Sequence, residues 1–94
     1  MENDEHYFYV LLCNDHSLYA GYTNNVQRRI KLHNEGKGAK YTRGRGPVEL
    51  VFSKKFPTKS EALKAEYAFK QWDRRKKLQY LIKEGSYVAT EKLF

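Results

Sequence analysis

Two apolar segments near the start of the chain are separated by a short polar stretch. His6–Cys13 reads HYFYVLLC and Leu18–Thr23 reads LYAGYT, and both are rich in aromatic and aliphatic side chains. The residues between them, Asn14–Ser17, are polar and typical of a turn. Two such segments joined by a tight turn predict a β-hairpin.

Side chains alternate between the two faces of a strand, so Tyr9 and Leu11 share one face of the first strand. Tyr19 and Gly21 likewise share one face of the second. The phenols of Tyr9 and Tyr19 can then meet across the hairpin, although the sequence does not fix the register.

The next elements follow from capping residues and periodicity. Asn24 or Asn25 is the expected N-cap of a helix that runs to about Glu35 and carries Arg29 one turn before His33. The chain from residue 36 to residue 47 is rich in glycine and cations, which predicts a mobile basic loop without helix or strand.

A third strand and two more helices complete the predicted order β-β-α-β-α-α. Val48–Phe56 alternates as a strand does, and a capping box at Thr58 and Glu61 opens a second helix. Asp73 caps a third helix that ends at Gly85. With 94 residues we expect a single domain over residues 1–94, with a core at about 6–84 and a loosely attached tail at 86–94.

The net charge of the chain indicates the class of partner that it binds. The chain has 18 Lys and Arg against 11 Asp and Glu, a formal net charge of +7, and the segment from Lys37 to Arg45 holds four cations and no acid. Polyanions such as nucleic acid are the natural partners of such a surface, and the alternative is a merely soluble surface.

The sequence disfavours a membrane-spanning protein, a secreted protein and a zinc-binding protein. No apolar run approaches the length that spans a membrane, and the first five residues are acidic rather than the start of a secretory leader. The single Cys13 has no internal disulfide partner, and Cys and His never occur at zinc-site spacing. We therefore expect no membrane partner and a cytoplasmic, reduced setting.

Tyr9, Tyr19 and Arg29 lie ten positions apart on the two predicted strands and the following helix. The segments Tyr7–Tyr9 and Tyr19–Gly21, followed by Arg29 and His33, resemble the two half-motifs, arginine and histidine of the GIY-YIG endonucleases. YxY and YxG alone would be weak signals, because tyrosine is common in strands.

A glutamate on the second helix strengthens the resemblance. Glu66 falls beside the apolar stripe of that helix, about 40 degrees from Ala62. A carboxylate there needs Arg29, a lysine or a metal ion as partner, and the alternative is an edge position paired with Lys70. In the family a glutamate at this point of the fold is the metal ligand, and Glu66 in AEYAFKQ matches it.

The run HNEGKGAKYTRGRGP with the later KSEALKAEYAFKQ is similar to the small, stand-alone bacterial GIY-YIG proteins of uncharacterised function. The likeness covers roughly residues 6 to 84 and implies an α+β fold with a small three-stranded antiparallel sheet flanked by helices. Tyr22 stands where repair-type members carry a lysine, and Lys40 or Arg43 are candidates to replace that charge.

The resemblance implies a role for each candidate. Tyr19, with Tyr9 beside it, would position or deprotonate a water molecule, and Arg29 would lower a phenol pKa or clamp the phosphate. Glu66 would hold one Mg²⁺ or Mn²⁺, and His33 would assist proton transfer or bind phosphate. One ion is expected, because no other carboxylates converge with Glu66.

The cations of the loop and first helix are expected to bind phosphates without reading bases. The candidate nucleic-acid-binding residues are Arg28, Lys37, Lys40, Tyr41, Arg43 and Arg45, with Tyr41 able to stack on an unpaired base. We expect DNA rather than RNA, with branched or damaged DNA and a role in DNA repair suggested by the relatives.

Three functions remain open at this point. The first is a metal-dependent endonuclease, and the second is a nucleic-acid-binding module that keeps the fold without turnover. A partner-binding subunit is the third, suggested by the apolar tail residues Leu93 and Phe94.

Overall fold

The computed structural model describes residues 5–85 and contains three strands, three α-helices and one turn of 3₁₀ helix in these residues. The strands are β1 (His6–Leu12), β2 (Leu18–Thr23) and β3 (Glu49–Phe56), and the helices are α1 (Val26–Asn34), α2 (Lys59–Gln71) and α3 (Arg74–Lys83). The predicted α+β class and the order β-β-α-β-α-α are confirmed. The expected tail at 86–94, including Leu93 and Phe94, lies outside the described residues.

The sheet has the order β2-β1-β3, with β1 antiparallel to both neighbours. In the hairpin Tyr9 lies opposite Gly21 and Leu11 opposite Tyr19. Because residues two apart on a strand share a face, Tyr9 and Tyr19 lie on the same face, as the alternation predicted. β2 is an edge strand, so within residues 5–85 it has a neighbouring strand, β1, on one side only.

The sheet is covered on both faces. On one face α2 and α3 pack on it through a cluster of buried residues: Phe8, Val10, Leu12, Ala20, Val51, Phe69 and Leu81. The other face carries Tyr9, Leu11, Cys13 and Val48, against which Tyr19, Leu50 and Ile30 of α1 pack. Residues of α1 and α2 therefore approach one another only around an edge of the sheet.

The helices begin at side-chain caps. Asn25, one of the two predicted alternatives, accepts from the Arg28 backbone N–H at 3.1 Å, and Asp73 accepts from that of Lys76 at 2.9 Å. Thr58 accepts from the Glu61 N–H at 3.2 Å. No helix within residues 5–85 is long and apolar enough to span a membrane.

The segment at 36–47 is more regular than the sequence indicated. Lys40–Thr42 forms one turn of 3₁₀ helix, so the prediction that this segment would hold no helix was wrong. Thr42 is buried, with 1% of its surface exposed, because it hydrogen-bonds inside the protein. Gly36 and Gly44 have φ angles of +76° and +73°, which explains glycine on either side of the turn.

Candidate active site

Tyr9 lies at the centre of the candidate site. It is on the middle strand and has 1% of its surface exposed. A Cβ atom at the opposite residue, Gly21, would lie 2.5 Å from the Tyr9 hydroxyl oxygen, so only glycine leaves room for the ring. Tyr19 thus supplies one phenol of the site, and Gly21, two residues later on the same face, leaves space for the ring of Tyr9.

A chain of hydrogen bonds leads from Tyr9 through α1 to the basic segment. The Tyr9 hydroxyl lies 2.9 Å from His33 Nε2, and His33 Nδ1 lies 2.8 Å from Thr42 Oγ1. The Thr42 hydroxyl donates to the Ala39 carbonyl oxygen at 2.9 Å. His33 is therefore held at both ring nitrogens in the protein interior.

Tyr19 joins the site from the edge strand. Its ring centroid lies 6.4 Å from that of Tyr9 and 5.2 Å from that of His33. The side chain is half-buried, and its hydroxyl has no hydrogen bond to any residue in the range 5–85. Of the two phenols, Tyr19 is thus the more accessible to solvent or a ligand.

Arg29 reaches Tyr9 from α1. Its Nε is buried, and it finds no hydrogen-bond partner among the described residues. Burial raises the pKa of Tyr9 to about 12, although the nearby Arg29 guanidinium lowers it and the charges of Tyr19 and Glu66 raise it. Burial, followed by the charge of Arg29, lowers the pKa of His33. At neutral pH the site thus pairs a protonated phenol with a neutral imidazole.

Glu66 comes to the site from α2. Only 16% of its side chain is exposed, and its Oε2 lies 2.9 Å from Lys70 Nζ, one turn along the helix. The ion pair with Lys70 is therefore present, as one of the two interpretations expected. Lys70 Nζ also lies 5.9 Å from the centre of the Tyr19 ring, so this cation faces the edge strand.

The acidic groups suit one hard cation better than a closed metal cage. Within residues 5–85, no three His, Cys, Asp or Glu side chains come close enough to hold a metal ion together. Mg²⁺ commonly takes one or two carboxylates and completes its shell with waters and substrate phosphate. Glu66, mostly buried and beside the open edge strand, fits such a single-carboxylate site.

The cations of the basic surface differ in their exposure and in their contacts. Arg28, Lys37, Lys40 and Arg43 are exposed. Arg45 instead pairs with Asp15 and lies 4.4 Å from the centre of the Tyr41 ring.

Tyr41 is 42% exposed and stacks on Tyr19, with 5.8 Å between ring centroids. Stacking of Tyr41 on a base would therefore compete with contacts inside the protein.

The structure brings Tyr9, Tyr19, Arg29 and His33 together, with Glu66 close enough for its charge to act on Tyr9. No motif or periodicity in the sequence pointed to Gly38 or Thr42. A Cβ atom at Gly38 would lie 2.4 Å from His33 Nδ1, so the segment packs directly on the imidazole. The position of Gly21 could be predicted from the sequence, since a glycine two residues after Tyr19 lies on the same face of the strand.

Comparison with known families gives one match over most of the chain. A family model described as the GIY-YIG catalytic domain matches residues 5–79. A UPF0213 protein of Bacillus velezensis is 61% identical over 95 residues, which cover 96% of this chain and 96% of the relative. The UPF0213 protein YazA of Bacillus subtilis is 54% identical, with 94% of each chain covered.

Solved structures show the same likeness. The solution NMR structure of a UPF0213 protein from Bacillus halodurans has a TM-score of 0.59 and 56% identity and covers 95% of this chain and 96% of that one. A protein of E. faecalis, also solved by NMR, has a TM-score of 0.61 and 55% identity, covering 88% of this chain and 90% of that one.

The Tyr9–His33 hydrogen bond predicts different effects for two similar substitutions. Tyr9→Phe leaves a buried imidazole nitrogen unpaired and is expected to lower the free energy of unfolding by about 1–3 kcal/mol. Tyr19→Phe removes a hydroxyl without a protein partner and should change it by less than about 0.5 kcal/mol. Urea unfolding of both variants measures this difference, and equal losses would contradict the assigned contact.

The lowered pKa of His33 predicts a pH dependence of stability. Because the pKa in the folded protein lies below the ordinary 6.5, the unfolded chain binds a proton first as the pH falls. The His33 contribution to the free energy of unfolding is then constant above 6.5 and falls as the pH drops towards the folded pKa. NMR titration of the ring should give a midpoint below 6.5, and a midpoint at or above it would refute the assignment.

Proposed function

The chain belongs to the GIY-YIG family, and from this we propose that it is a metal-dependent endonuclease that hydrolyses phosphodiester bonds in nucleic acid. The observation that carries the proposal is the convergence of Tyr9, Tyr19, His33 and Arg29 at the edge strand, within reach of the Glu66 charge. Phosphodiester hydrolysis needs an activated water and positive charge for the phosphoryl oxygens, and these side chains match both needs.

Tyr9 and His33 are the proposed route for the proton of the attacking water. The Tyr9 hydroxyl is protonated, and its oxygen lies 2.9 Å from His33 Nε2. As the water loses a proton to the phenol oxygen, the phenol proton moves to His33, so that Tyr9 never carries a full negative charge. Tyr19, the more exposed phenol, would orient the water.

Arg29 is the proposed contact for the phosphate. Its guanidinium carries a buried Nε without a partner among the described residues, which disfavours the free state and leaves a donor for a phosphoryl oxygen. A guanidinium can bind two such oxygens at once and is always charged. It would therefore stabilise the negative charge that develops during attack.

Glu66 is the proposed ligand of one Mg²⁺ or Mn²⁺. When bound, such an ion supplies Lewis-acid stabilisation of the phosphoryl and leaving oxygens. Lys70, which pairs with Glu66, keeps positive charge at the carboxylate and faces Tyr19. Lys70 is thus a further candidate, beside Lys40 and Arg43, to offset the absence of a lysine at Tyr22.

The proposed substrate is DNA rather than RNA, with branched or damaged DNA as the first forms to test. The exposed cations Arg28, Lys37, Lys40 and Arg43 would bind backbone phosphates. Such contacts carry little sequence information and weaken steeply with salt. A domain that binds nucleic acid in this way without cutting it is the competing proposal.

Cleavage assays separate the two proposals. Labelled single-stranded, duplex and branched DNA and matching RNA are incubated with the protein and Mg²⁺, Mn²⁺ or EDTA. We expect nicking that needs a divalent ion and falls by roughly 100-fold or more in Glu66→Gln, Arg29→Ala and Tyr19→Phe.

Two variants provide matched controls. Glu84→Gln and Arg75→Ala remove the same charges from exposed positions of the chain and should cut as the wild type does. Binding by the wild type with no product under any condition would favour the binding module. Equal cutting by Glu66→Gln and the wild type would expose a contaminating nuclease.

A further inference from the structure

Hydrogen bonds link Tyr9, His33, Thr42 and the Ala39 carbonyl in that order. The positions of the protons can be assigned by starting from the Ala39 end. The Ala39 carbonyl can only accept, so the single hydroxyl proton of Thr42 is donated to it across 2.9 Å. Thr42 Oγ1 is then an acceptor towards His33 Nδ1 at 2.8 Å. This arrangement therefore favours a proton on Nδ1.

The other end of the chain gives the same answer independently. The Tyr9 hydroxyl interacts with the Arg29 guanidinium and with His33 Nε2. Arginine has only donors, so a proton on Nε2 would leave the Tyr9 hydroxyl between two donors and its own proton without an acceptor. With Nε2 unprotonated, Tyr9 donates to it, and both the phenol and Nε2 are paired.

We propose that Thr42 is a positioning residue that holds His33 as the Nδ1-protonated tautomer and so keeps Nε2 free to take the proton of Tyr9. The catalytic consequence rests on the proposed nuclease function, but the tautomer does not. In the opposite tautomer the Thr42 hydroxyl would turn to Nδ1. The oxygens of Thr42 and Ala39 would then face each other at 2.9 Å without a proton between them.

The position of Thr42 in the chain links this role to substrate binding. Thr42 ends the 3₁₀ turn that begins at Lys40, and it lies between Tyr41 and Arg43. The backbone at Gly38 packs on the imidazole so closely that no Cβ atom would fit. The segment proposed to contact phosphates thus also fixes the orientation and tautomer of His33.

The test reads the tautomer directly from the ¹⁵N chemical shifts of the His33 ring in a labelled sample near neutral pH. The wild type should show the proton on Nδ1, and Thr42→Ser, which keeps the hydroxyl, should show the same pattern. Thr42→Val has the same shape without the acceptor. Because Tyr9 and Arg29 still favour an unprotonated Nε2, its ring shifts should move part of the way towards the Nε2-protonated form and so indicate a mixture of tautomers.

These measurements decide the proposal whether or not the protein cuts nucleic acid. A wild-type ring protonated on Nε2 overturns the proposal, as does Thr42→Val with unchanged ring shifts. Should the valine variant fail to fold, which its amide spectrum shows, the wild-type and Thr42→Ser shifts still decide the tautomer.

Kinetics test the catalytic consequence separately. For a nuclease, Thr42→Val should lower kcat by the factor by which the Nδ1-protonated fraction of His33 falls, with KM within about twofold, and Thr42→Ser should keep the wild-type kcat. A shifted tautomer with unchanged kcat would overturn the link to catalysis. A wild type without any cleavage but with the Nδ1 proton would refute the nuclease function and support the tautomer assignment.

Discussion

The buried hydrogen bond between Tyr9 and His33 is the contact on which the rest of the site depends. Both side chains are about 1% exposed, and polar groups are stable at such depth only when they are paired. The pairing fixes α1 against the middle strand, and the close packing at Gly21 and Gly38 leaves each ring little freedom. A site built on this contact is therefore rigid before any ligand binds, which limits the ordering that a reaction would require.

The edge strand β2 explains how residues from opposite faces of the sheet meet. Arg29 and His33 lie on α1, while Glu66 and Lys70 lie on α2, which packs on the other face. Only beside β2, where Tyr19 is half-buried, can these groups act on one another. Two cations and one carboxylate around two phenols give a site with excess positive charge, which favours a phosphate.

Much of this arrangement could be predicted from the sequence because it follows from local rules. Strand alternation places Tyr9 and Tyr19 on one face, and the caps at Asn25, Thr58 and Asp73 set where the helices begin. The role of Thr42 could not be predicted, since it depends on a contact across nine residues that no periodicity marks. The glycine-rich segment indicated irregular chain, but part of it forms a 3₁₀ turn whose last residue, Thr42, hydrogen-bonds the buried imidazole of His33.

We propose that the Glu66 carboxylate and the two phenols share one site that holds a divalent ion. Paramagnetic Mn²⁺, added at low concentration to the ¹⁵N-labelled protein, tests it most directly. We expect the amide signals near Glu66, Tyr9 and Tyr19 to broaden first, and Glu66→Gln to abolish the effect. Broadening centred elsewhere, or unchanged in the variant, would contradict the account.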